Sequence, residues 1–170
     1  MSEPLFTVVD EHDDPIGAKK KKYITSDELY RVSVLWITNN ARQSLLAQRA
    51  FTKSHDPGVW GPAVAGTVEQ GETYETNIIK EAEEEIGVKN TPFQFGFKTR
   101  IHGRHNYFVN YFFTTLDWPI SAFRPRPGEV EQVKWFTNEE IINILRYSPT
   151  QLTPSMAQYF PKVLKIINDS

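Results

Sequence analysis

One segment, residues 66–88, constrains this chain more than any other. Its pattern predicts a glycine-rich loop, then a helix from Thr73 to Ile86, then a stop at Gly87, where glycine commonly ends a helix. Three carboxylates share one patch of that helix because they stand at i, i+3 and i+4, namely Glu81, Glu84 and Glu85. Carboxylate oxygens are the hard ligands that Mg²⁺ and Mn²⁺ prefer. The segment therefore predicts a divalent-metal site on a single helix.

The rotational phase of this helix brings the carboxylates close to its apolar side. At about 100° per residue, one arc that should face the core holds Tyr74, Ile78, Ile79, Ala82 and Ile86. Glu85 falls inside this arc, and Glu81 and Glu84 lie along its border. A lone ionised carboxylate there is costly to desolvate, so it needs a cation or hydrogen-bond donors. A bare acidic run is more often a solvated surface, and that interpretation stays open for the run taken alone.

The spacing across the whole segment resembles the Nudix box. That box has a glycine, five residues, a glutamate, seven residues, Arg-Glu, two residues, Glu-Glu, one residue and a glycine. This chain matches it at Gly66, Glu72, Glu81, Glu84, Glu85 and Gly87. Lys80 stands where the family usually has arginine, which keeps the charge but loses the planar guanidinium fork. Ala82 replaces a larger aliphatic residue, a change expected to affect packing alone.

The resemblance implies an α/β fold, an α/β/α sandwich around a mixed β-sheet, as a single domain over residues 1–170. It implies Mg²⁺-dependent hydrolysis of a diphosphate bond in a nucleoside diphosphate linked to some group X, with Mn²⁺ able to replace Mg²⁺. The metal would neutralise the diphosphate and orient a water. It would be held by the carboxylates of the helix and by one carbonyl: Glu81, Glu84, Glu85 and Gly66. Four residues would serve the structure of the box: Gly66, Glu72, which braces the loop, Lys80 and Gly87.

A second stretch, residues 45–60, looks like the Nudix subgroup that contains isopentenyl-diphosphate isomerase. In that subgroup the positions of Arg49 and Lys53 contact the substrate diphosphate, and both side chains present donors to phosphate oxygens. Isomerase chemistry is nevertheless expected to be absent. The isomerase cysteine, its two metal-binding histidines and its catalytic glutamate correspond here to Ala65, Tyr23, Tyr30 and Phe108. A phenylalanine cannot shuttle a proton, and an alanine cannot replace a thiol.

Several side chains outside these stretches are further candidates. Glu129 and Glu131 precede a strand in a region where some family members place an extra carboxylate base or metal ligand, and Glu129 is the candidate base. His102 and His105 could approach a ligand from a loop, although such histidines are more often simply exposed. Three aromatic residues could stack on a nucleobase or belong to the core: Trp60, Tyr107 and Phe108.

Composition narrows the class of protein. The net charge of −2 argues against a broad grip on nucleic acid, and the absence of cysteine excludes disulfides and thiolate metal sites. The basic run of residues 19–22 is most simply a solvated loop or strand edge. Residues 1–4 do not begin a signal peptide, and no stretch approaches the roughly 18 apolar residues of a membrane helix. A cytoplasmic protein with no membrane or nucleic-acid partner is expected.

The apolar pattern predicts one α/β domain without linkers or repeats. Strands are expected at residues 5–9, 32–37, 44–48, 93–97, 107–115 and 130–136, the second and third of them as a hairpin. Helices are expected at residues 73–86, 138–146 and 155–167, the last of them kinked or restarted at Pro161. Residues 51–62, with their glycines and prolines, are expected to be loop.

These patterns leave more than one class of function. The leading hypothesis is a Mg²⁺-dependent Nudix hydrolase whose partner is a small-molecule diphosphate. The rival enzyme is isopentenyl-diphosphate isomerase-like. A hypothesis from a different class, a binding protein, is a Nudix-fold nucleotide-binding module without turnover. Lys80 in place of the usual arginine favours this hypothesis. A homodimer could form through residues 23–30 and the aromatic strands.

Overall fold

The computed structural model describes residues 3–170, in which nine β-strands and three α-helices follow one another. Met1 and Ser2, which belong to the segment considered above for a signal peptide, lie outside the described residues. The strands are β1 (Leu5–Val9), β2 (Pro15–Lys20), β3 (Leu29–Thr38), β4 (Ser44–Arg49), β5 (Trp60–Pro62), β6 (Val64–Thr67), β7 (Gln94–Ile101), β8 (Asn106–Thr115) and β9 (Val130–Phe136). The helices are α1 (Tyr74–Ile86), α2 (Asn138–Tyr147) and α3 (Met156–Asp169).

Strand β3 is the centre of the sheet, and its near-continuous apolar sequence suits burial on both faces. It pairs in parallel with β8 along its whole length and antiparallel with β1 and β6. Strand β8 continues to β7, and β4 carries β5 and β9 as antiparallel partners. The result is a mixed sheet, which confirms the predicted α/β class.

Helices cover both faces of this sheet. Side chains of β3 alternate between the faces, so that Leu35 packs with Ile78 in the core beneath α1. Trp36 points the opposite way into the core made with α2 and α3, where its ring lies 5.8 Å from that of Phe160. This layering is the α/β/α sandwich that the resemblance implied. Within the described residues, no helix is both long and apolar enough to cross a membrane.

Helix α1 begins and ends where the sequence predicts. The Thr73 hydroxyl accepts a hydrogen bond from the Thr76 amide at 3.1 Å, and the Thr76 hydroxyl accepts one from the Thr73 amide at 2.9 Å. Gly87 ends the helix in the left-handed region, with φ of 75°. Ile79, predicted on the buried arc, is 53% exposed, so that prediction was wrong. The buried arc is narrower than the apolar one, because the sheet covers Tyr74, Ile78, Ala82 and Ile86 and leaves the rim to solvent.

Five features of the chain path differ from the sequence-based expectations. Strand β6 was not predicted, and Gly66 and Thr67, expected to begin the box loop, lie in it because its backbone pairs with β3. Strand β2 was not predicted, because as an edge strand it is mostly exposed and lacks an apolar face. Trp60–Pro62, expected to be loop, forms the short strand β5 through backbone pairing with β4. The expected hairpin of β3 and β4 holds one residue pair, Thr38 with Ser44, before β4 turns to β5 and β9. Helix α3 runs through Pro161 as one helix.

A buried charge cluster fastens the turn between β1 and β2 to helix α1. Asp13 is buried and has a left-handed backbone with φ of 67°. Its carboxylate accepts hydrogen bonds from Arg31 Nε at 2.7 Å, from the Tyr74 hydroxyl at 2.9 Å and from the Lys98 ammonium. The Ser33 hydroxyl also donates to the Tyr74 carbonyl at 2.8 Å. The first turn of α1 is therefore bonded to the sheet at two points.

We expect Asp13→Asn to lower the free energy of unfolding by about 3 kcal/mol, the lower end of what breaking a buried ion pair costs. Asparagine tolerates the left-handed backbone, so the loss would report the missing charge opposite Arg31. Asp14→Asn is the control, because Asp14 is the exposed neighbour, and it should change stability by less than about 0.5 kcal/mol. Urea unfolding followed by circular dichroism measures both values. Equal effects of the two substitutions would contradict the role given to the cluster.

Candidate active site

The box loop and helix α1 meet at Gly66 of strand β6. A Cβ atom on this glycine would lie 2.7 Å from Cδ of Glu81 and 2.9 Å from Oδ1 of Asn77. Any side chain here would therefore displace the side chains of Glu81 and Asn77. One residue earlier, the Ala65 amide donates a hydrogen bond to Glu85 Oε2 at 3.3 Å. The glycine thus permits the contact that sets Glu81 and Glu85 against the backbone of β6.

The three box glutamates differ in their environments. Glu81 and Glu85 are half-buried, whereas the Glu84 side chain is 47% exposed and lies 3.4 Å from Arg126 Nη1. Burial, followed by the charge of Glu81, raises the pKa of Glu85 to about 8. Burial also raises the pKa of Glu81. Both shifts mean that the charged carboxylates need a stabilising partner in this place.

The atoms around these glutamates fit a divalent cation. Within residues 3–170, no three acidic or histidine side chains already converge as a closed metal cage. Mg²⁺ does not require one, because it keeps several waters and is usually bound by one or two carboxylates together with substrate phosphates. The Oδ1 atom of Asn77 is buried next to Glu81 and has no hydrogen-bond partner among the described residues. The site therefore offers carboxylate and amide oxygens, which are the hard donors that Mg²⁺ and Mn²⁺ take.

Lys80 holds the box loop against α1. Its ammonium lies 2.6 Å from Glu72 Oε1 and 2.9 Å from Glu69 Oε1. Burial alone would lower the pKa of Lys80, but the hydrogen bonds with Glu72 and Glu69 outweigh it and raise the pKa. Glu72 also accepts a hydrogen bond from the Glu69 amide at 3.0 Å. The loop is thus braced through two separate carboxylates without a guanidinium fork.

Three cations lie near one another on segments beside the box: Lys21, Arg49 and Lys53. Burial, followed by the charges of Arg49 and Lys53, lowers the pKa of Lys21. The Lys21 ammonium donates to the Thr67 hydroxyl at 3.1 Å, one residue after Gly66. The Arg49 guanidinium donates to the backbone carbonyl of the loop that follows it, and neither Arg49 nor Lys21 forms an ion pair with a carboxylate of residues 3–170. These two cations therefore remain able to bind an anion.

Sequence reasoning did not single out Lys21. The other lysines of its run, Lys19, Lys20 and Lys22, form surface ion pairs with Glu28 or Glu3. Lys21 instead begins a 3₁₀ turn, Lys21–Tyr23, and its ammonium lies 5.7 Å and 5.9 Å from the ring centres of Phe6 and Tyr30. Lys21 is itself exposed, and four consecutive lysines carry no signal for which of them reaches Thr67, because contacts with distant residues decide it.

The candidate base Glu129 lies beside the candidate phosphate ligand Lys53, and the two form an ion pair. The Ala50 amide donates to the Glu129 carbonyl at 3.0 Å, which fixes the two loops to each other. Glu131, one strand position further, is exposed on β9 and has no ion-pair partner among residues 3–170. The structure thus brings Glu129, and not Glu131, into contact with a predicted substrate-binding residue.

The two loop histidines, His102 and His105, lie next to different parts of the structure. The ring of His105 lies 6.4 Å from that of His55, on the loop after Arg49, and burial, followed by the charge of Lys21, lowers the pKa of His105. His102 is exposed, and its amide donates to the side chain of Gln158 at 3.3 Å. His105 therefore borders the cation group, whereas His102 contacts α3.

The three candidate stacking aromatics all pack against other side chains. Trp60 lies edge-on to Phe136 at 5.0 Å, and Tyr107 lies 5.4 Å from Tyr30. The ring of Phe108 is covered by the ammonium of Lys98 at 5.2 Å and by the guanidinium of Arg100. These contacts favour a packing role for the three rings.

A mixed sheet between helices, with a glycine-bounded helix of paired glutamates at one edge, defines a Nudix-type protein. The sequence model of the NUDIX domain matches residues 28–163, and the chain belongs to this family. Among solved structures, it is similar to the DR0079 protein of Deinococcus radiodurans, with a TM-score of 0.74 and 20% identity over 85% of this chain and 90% of that one. It is also similar to the NUDIX domain of Shewanella oneidensis NrtR complexed with ADP ribose, with a TM-score of 0.60 and 16% identity over 88% and 94% of the two chains.

Curated relatives agree with the subgroup that the sequence indicated. Isopentenyl-diphosphate Delta-isomerase of Citrobacter koseri is 30% identical over 162 residues, which cover 92% of this chain and 90% of that protein. The corresponding enzyme of Klebsiella pneumoniae is 26% identical over 92% of this chain and 88% of that protein. The chain resembles this subgroup but has Ala65 and Phe108 where the isomerase cysteine and glutamate are expected.

The raised pKa of Glu85 should make the stability of the metal-free protein depend on pH. A glutamate of the unfolded chain has a pKa of about 4.3. Between that pH and about 8, the folded state therefore binds one proton more at Glu85 than the unfolded state does. Stability should therefore fall as the pH rises through this window. We expect the Tm in EDTA to be lower at about pH 8.5 than at about pH 6, and the difference to shrink in Glu85→Gln.

Differential scanning calorimetry of both proteins at the two pH values measures this effect. The Glu85→Gln variant is the control for the wild type, because it removes the titration of residue 85 and keeps every other titrating group of the chain. Excess Mg²⁺ should restore the stability of the wild type at the higher pH. An identical pH dependence in Glu85→Gln would contradict the assignment.

Proposed function

We propose that this protein is a Mg²⁺-dependent Nudix hydrolase that cleaves a diphosphate bond in a nucleoside diphosphate linked to X or in a related small phosphorylated metabolite. The observation that carries the proposal is the contact at Gly66, which holds the half-buried Glu81 and Glu85 against β6. Beside them lie Lys21 and Arg49, cations without carboxylate partners among the described residues. Oxygen donors for a metal next to free donors for phosphate are what diphosphate hydrolysis requires.

The chain's own residues take distinct parts in this reaction. The metal would be held by Glu81, Glu84, Glu85 and the Gly66 carbonyl, and when bound it supplies charge neutralisation on the diphosphate. Lys21 and Arg49 bind phosphate oxygens that do not react. Glu129, held in place by Lys53, accepts the proton of the attacking water. The water oxygen bonds to one phosphorus, and the bridging P–O bond breaks to give two phosphorylated products.

The isomerase relatives do not make isomerisation the better proposal. Moving a double bond requires groups that deliver and remove protons at carbon, and Ala65 and Phe108 cannot do so. The similarity does extend over 162 residues, so prenyl diphosphates belong among the compounds to test. A binding module without turnover is supported less well, because Lys80 keeps the brace to Glu72 and Glu69.

A panel of compounds tests hydrolysis directly. Purified protein with Mg²⁺ is incubated with nucleoside di- and triphosphates, ADP-ribose, diadenosine tetraphosphate, sugar nucleotides and prenyl diphosphates, and the products are separated by chromatography. We expect one class to be hydrolysed, and Glu84→Gln to lower kcat roughly 100-fold. Glu83→Gln is the matched control, because Glu83 is exposed on the same helix and pairs with Lys89 at 2.6 Å.

Three results would overturn the proposal. They are no turnover of any compound, full activity of Glu84→Gln, or an equal loss in Glu83→Gln. Formation of dimethylallyl diphosphate from its isomer would establish the isomerase instead.

The part played by Lys21 can be tested on whichever substrate is found. A charge-assisted hydrogen bond to phosphate contributes about 1.5–3 kcal/mol, so Lys21→Ala should raise KM by at least roughly tenfold. Lys22→Ala is the control, because Lys22 stands in the same turn and pairs with Glu3 at the surface. Steady-state kinetics measures both variants. Equal KM values for the two would show that Lys21 does not contact substrate.

A further inference from the structure

Asn77 is a fully buried polar residue at the end of the first turn of the box helix. Its relative exposure is 0%, which is uncommon for an amide side chain. It lies between the box loop and the carboxylates, close to Gly66 and Glu81. Burying an amide costs free energy of folding unless each of its polar atoms has a hydrogen-bond partner.

The nitrogen of this amide has partners, and they fix the orientation of the group. Nδ2 donates to the Thr67 carbonyl at 3.2 Å and to Glu72 Oε2 at 2.9 Å. Both partners are acceptors, so the opposite orientation of the amide would place its oxygen against two other oxygens. The oxygen therefore points away from the loop.

Oδ1 has no hydrogen-bond partner among residues 3–170. It lies 2.9 Å from the point where a Cβ of Gly66 would stand, and Cδ of Glu81 lies 2.7 Å from the same point. Cγ of Glu81 is nearer still to this point, so the Glu81 side chain fills the space that Gly66 leaves, and the unpartnered oxygen lies beside the stem of that carboxylate. An acceptor at this place requires a donor that the described residues do not provide.

We propose that Asn77 Oδ1 accepts a hydrogen bond from a water in the shell of the bound divalent ion and so positions that water. The inference rests on the metal site of the proposed function. Water held by Mg²⁺ or Mn²⁺ is a hydrogen-bond donor, and Mg²⁺ keeps several waters when it binds to proteins. Asn77 is then a positioning residue that connects the ion, through one amide, to the loop brace at Glu72.

Binding of Mn²⁺ to the metal-free protein, measured by the electron paramagnetic resonance signal of the free ion, tests this inference without any substrate. Asn77→Leu, which removes both hydrogen-bonding atoms at similar volume, should weaken binding about tenfold, as the loss of an outer partner of a metal does. Asn110→Leu is the matched control, because Asn110 is a buried amide of β8 whose Oδ1 also lacks a partner among the described residues and which lies across β3 from Gly66, and it should leave affinity unchanged.

A second variant separates a role toward the metal from a role in the loop. Asn77→Asp keeps an oxygen beside Glu81 but loses the donor to Glu72, so it should bind Mn²⁺ more tightly than Asn77→Leu. Ile79→Asp adds the same charge at an exposed position of α1 and measures the general electrostatic gain. We expect the ratio of Mn²⁺ affinities between Asn77→Asp and Asn77→Leu to exceed the ratio between Ile79→Asp and the wild type.

The outcomes are distinct. Wild-type affinity in Asn77→Leu, or a gain at position 77 no larger than at position 79, would overturn the inference while leaving the metal site intact. No binding of Mn²⁺ by the wild type would overturn the metal site and the inference with it. Thermal unfolding in EDTA checks that each variant is folded, and Asn77→Ala replaces Asn77→Leu if the larger side chain does not fold.

Discussion

The close contact between helix α1 and strand β6 at Gly66 is the constraint on which the rest of the site depends. It takes Glu81 and Glu85 partly out of solvent, where their charged forms are unfavourable. Both sides of the contact are held in place. Strand β6 is paired with the central β3, and Tyr74 at the start of α1 is bonded through its carbonyl and its hydroxyl. With both sides held in place, Glu81 and Glu85 stay half-buried, and the proposed cation would stabilise their charged forms.

The charges around this contact neutralise one another only in part. Lys80, the lysine nearest to the metal-facing acids, is 2.6 Å from Glu72 but 3.8 Å from Glu81. Lys21 bonds to a hydroxyl, and Arg49 to a backbone carbonyl. Glu81 and Glu85 therefore remain available to the proposed metal, and Lys21 and Arg49 to the proposed phosphate. Ion pairs between these acids and these cations would have competed with the binding of the proposed metal and of the proposed phosphate.

How far the sequence predicts this site follows from how local each feature is. The spacing of the box glutamates and the ends of α1 depend on neighbours within a few turns, and they were predictable. Lys21 could not be singled out, because its partner Thr67 is 46 positions away. The cluster at Asp13 joins residues up to 85 positions apart. The prediction that Ile79 is buried was wrong for a related reason. Helical phase locates the centre of a buried arc, whereas the width of the arc depends on the sheet beneath it.

The two faces of strand β6 carry different groups. Side chains of a strand alternate, and in β6 Val64 packs beneath α1 while the bare face of Gly66 meets Glu81. Ala65 therefore points to the opposite face, where it is exposed, and it stands at the position where the resemblance expects the isomerase cysteine. In this chain that face carries a methyl group, and the α1 face carries the acids. Similarity to isomerases along the whole chain thus describes a shared scaffold, whereas the chemistry follows the face that holds the reactive groups.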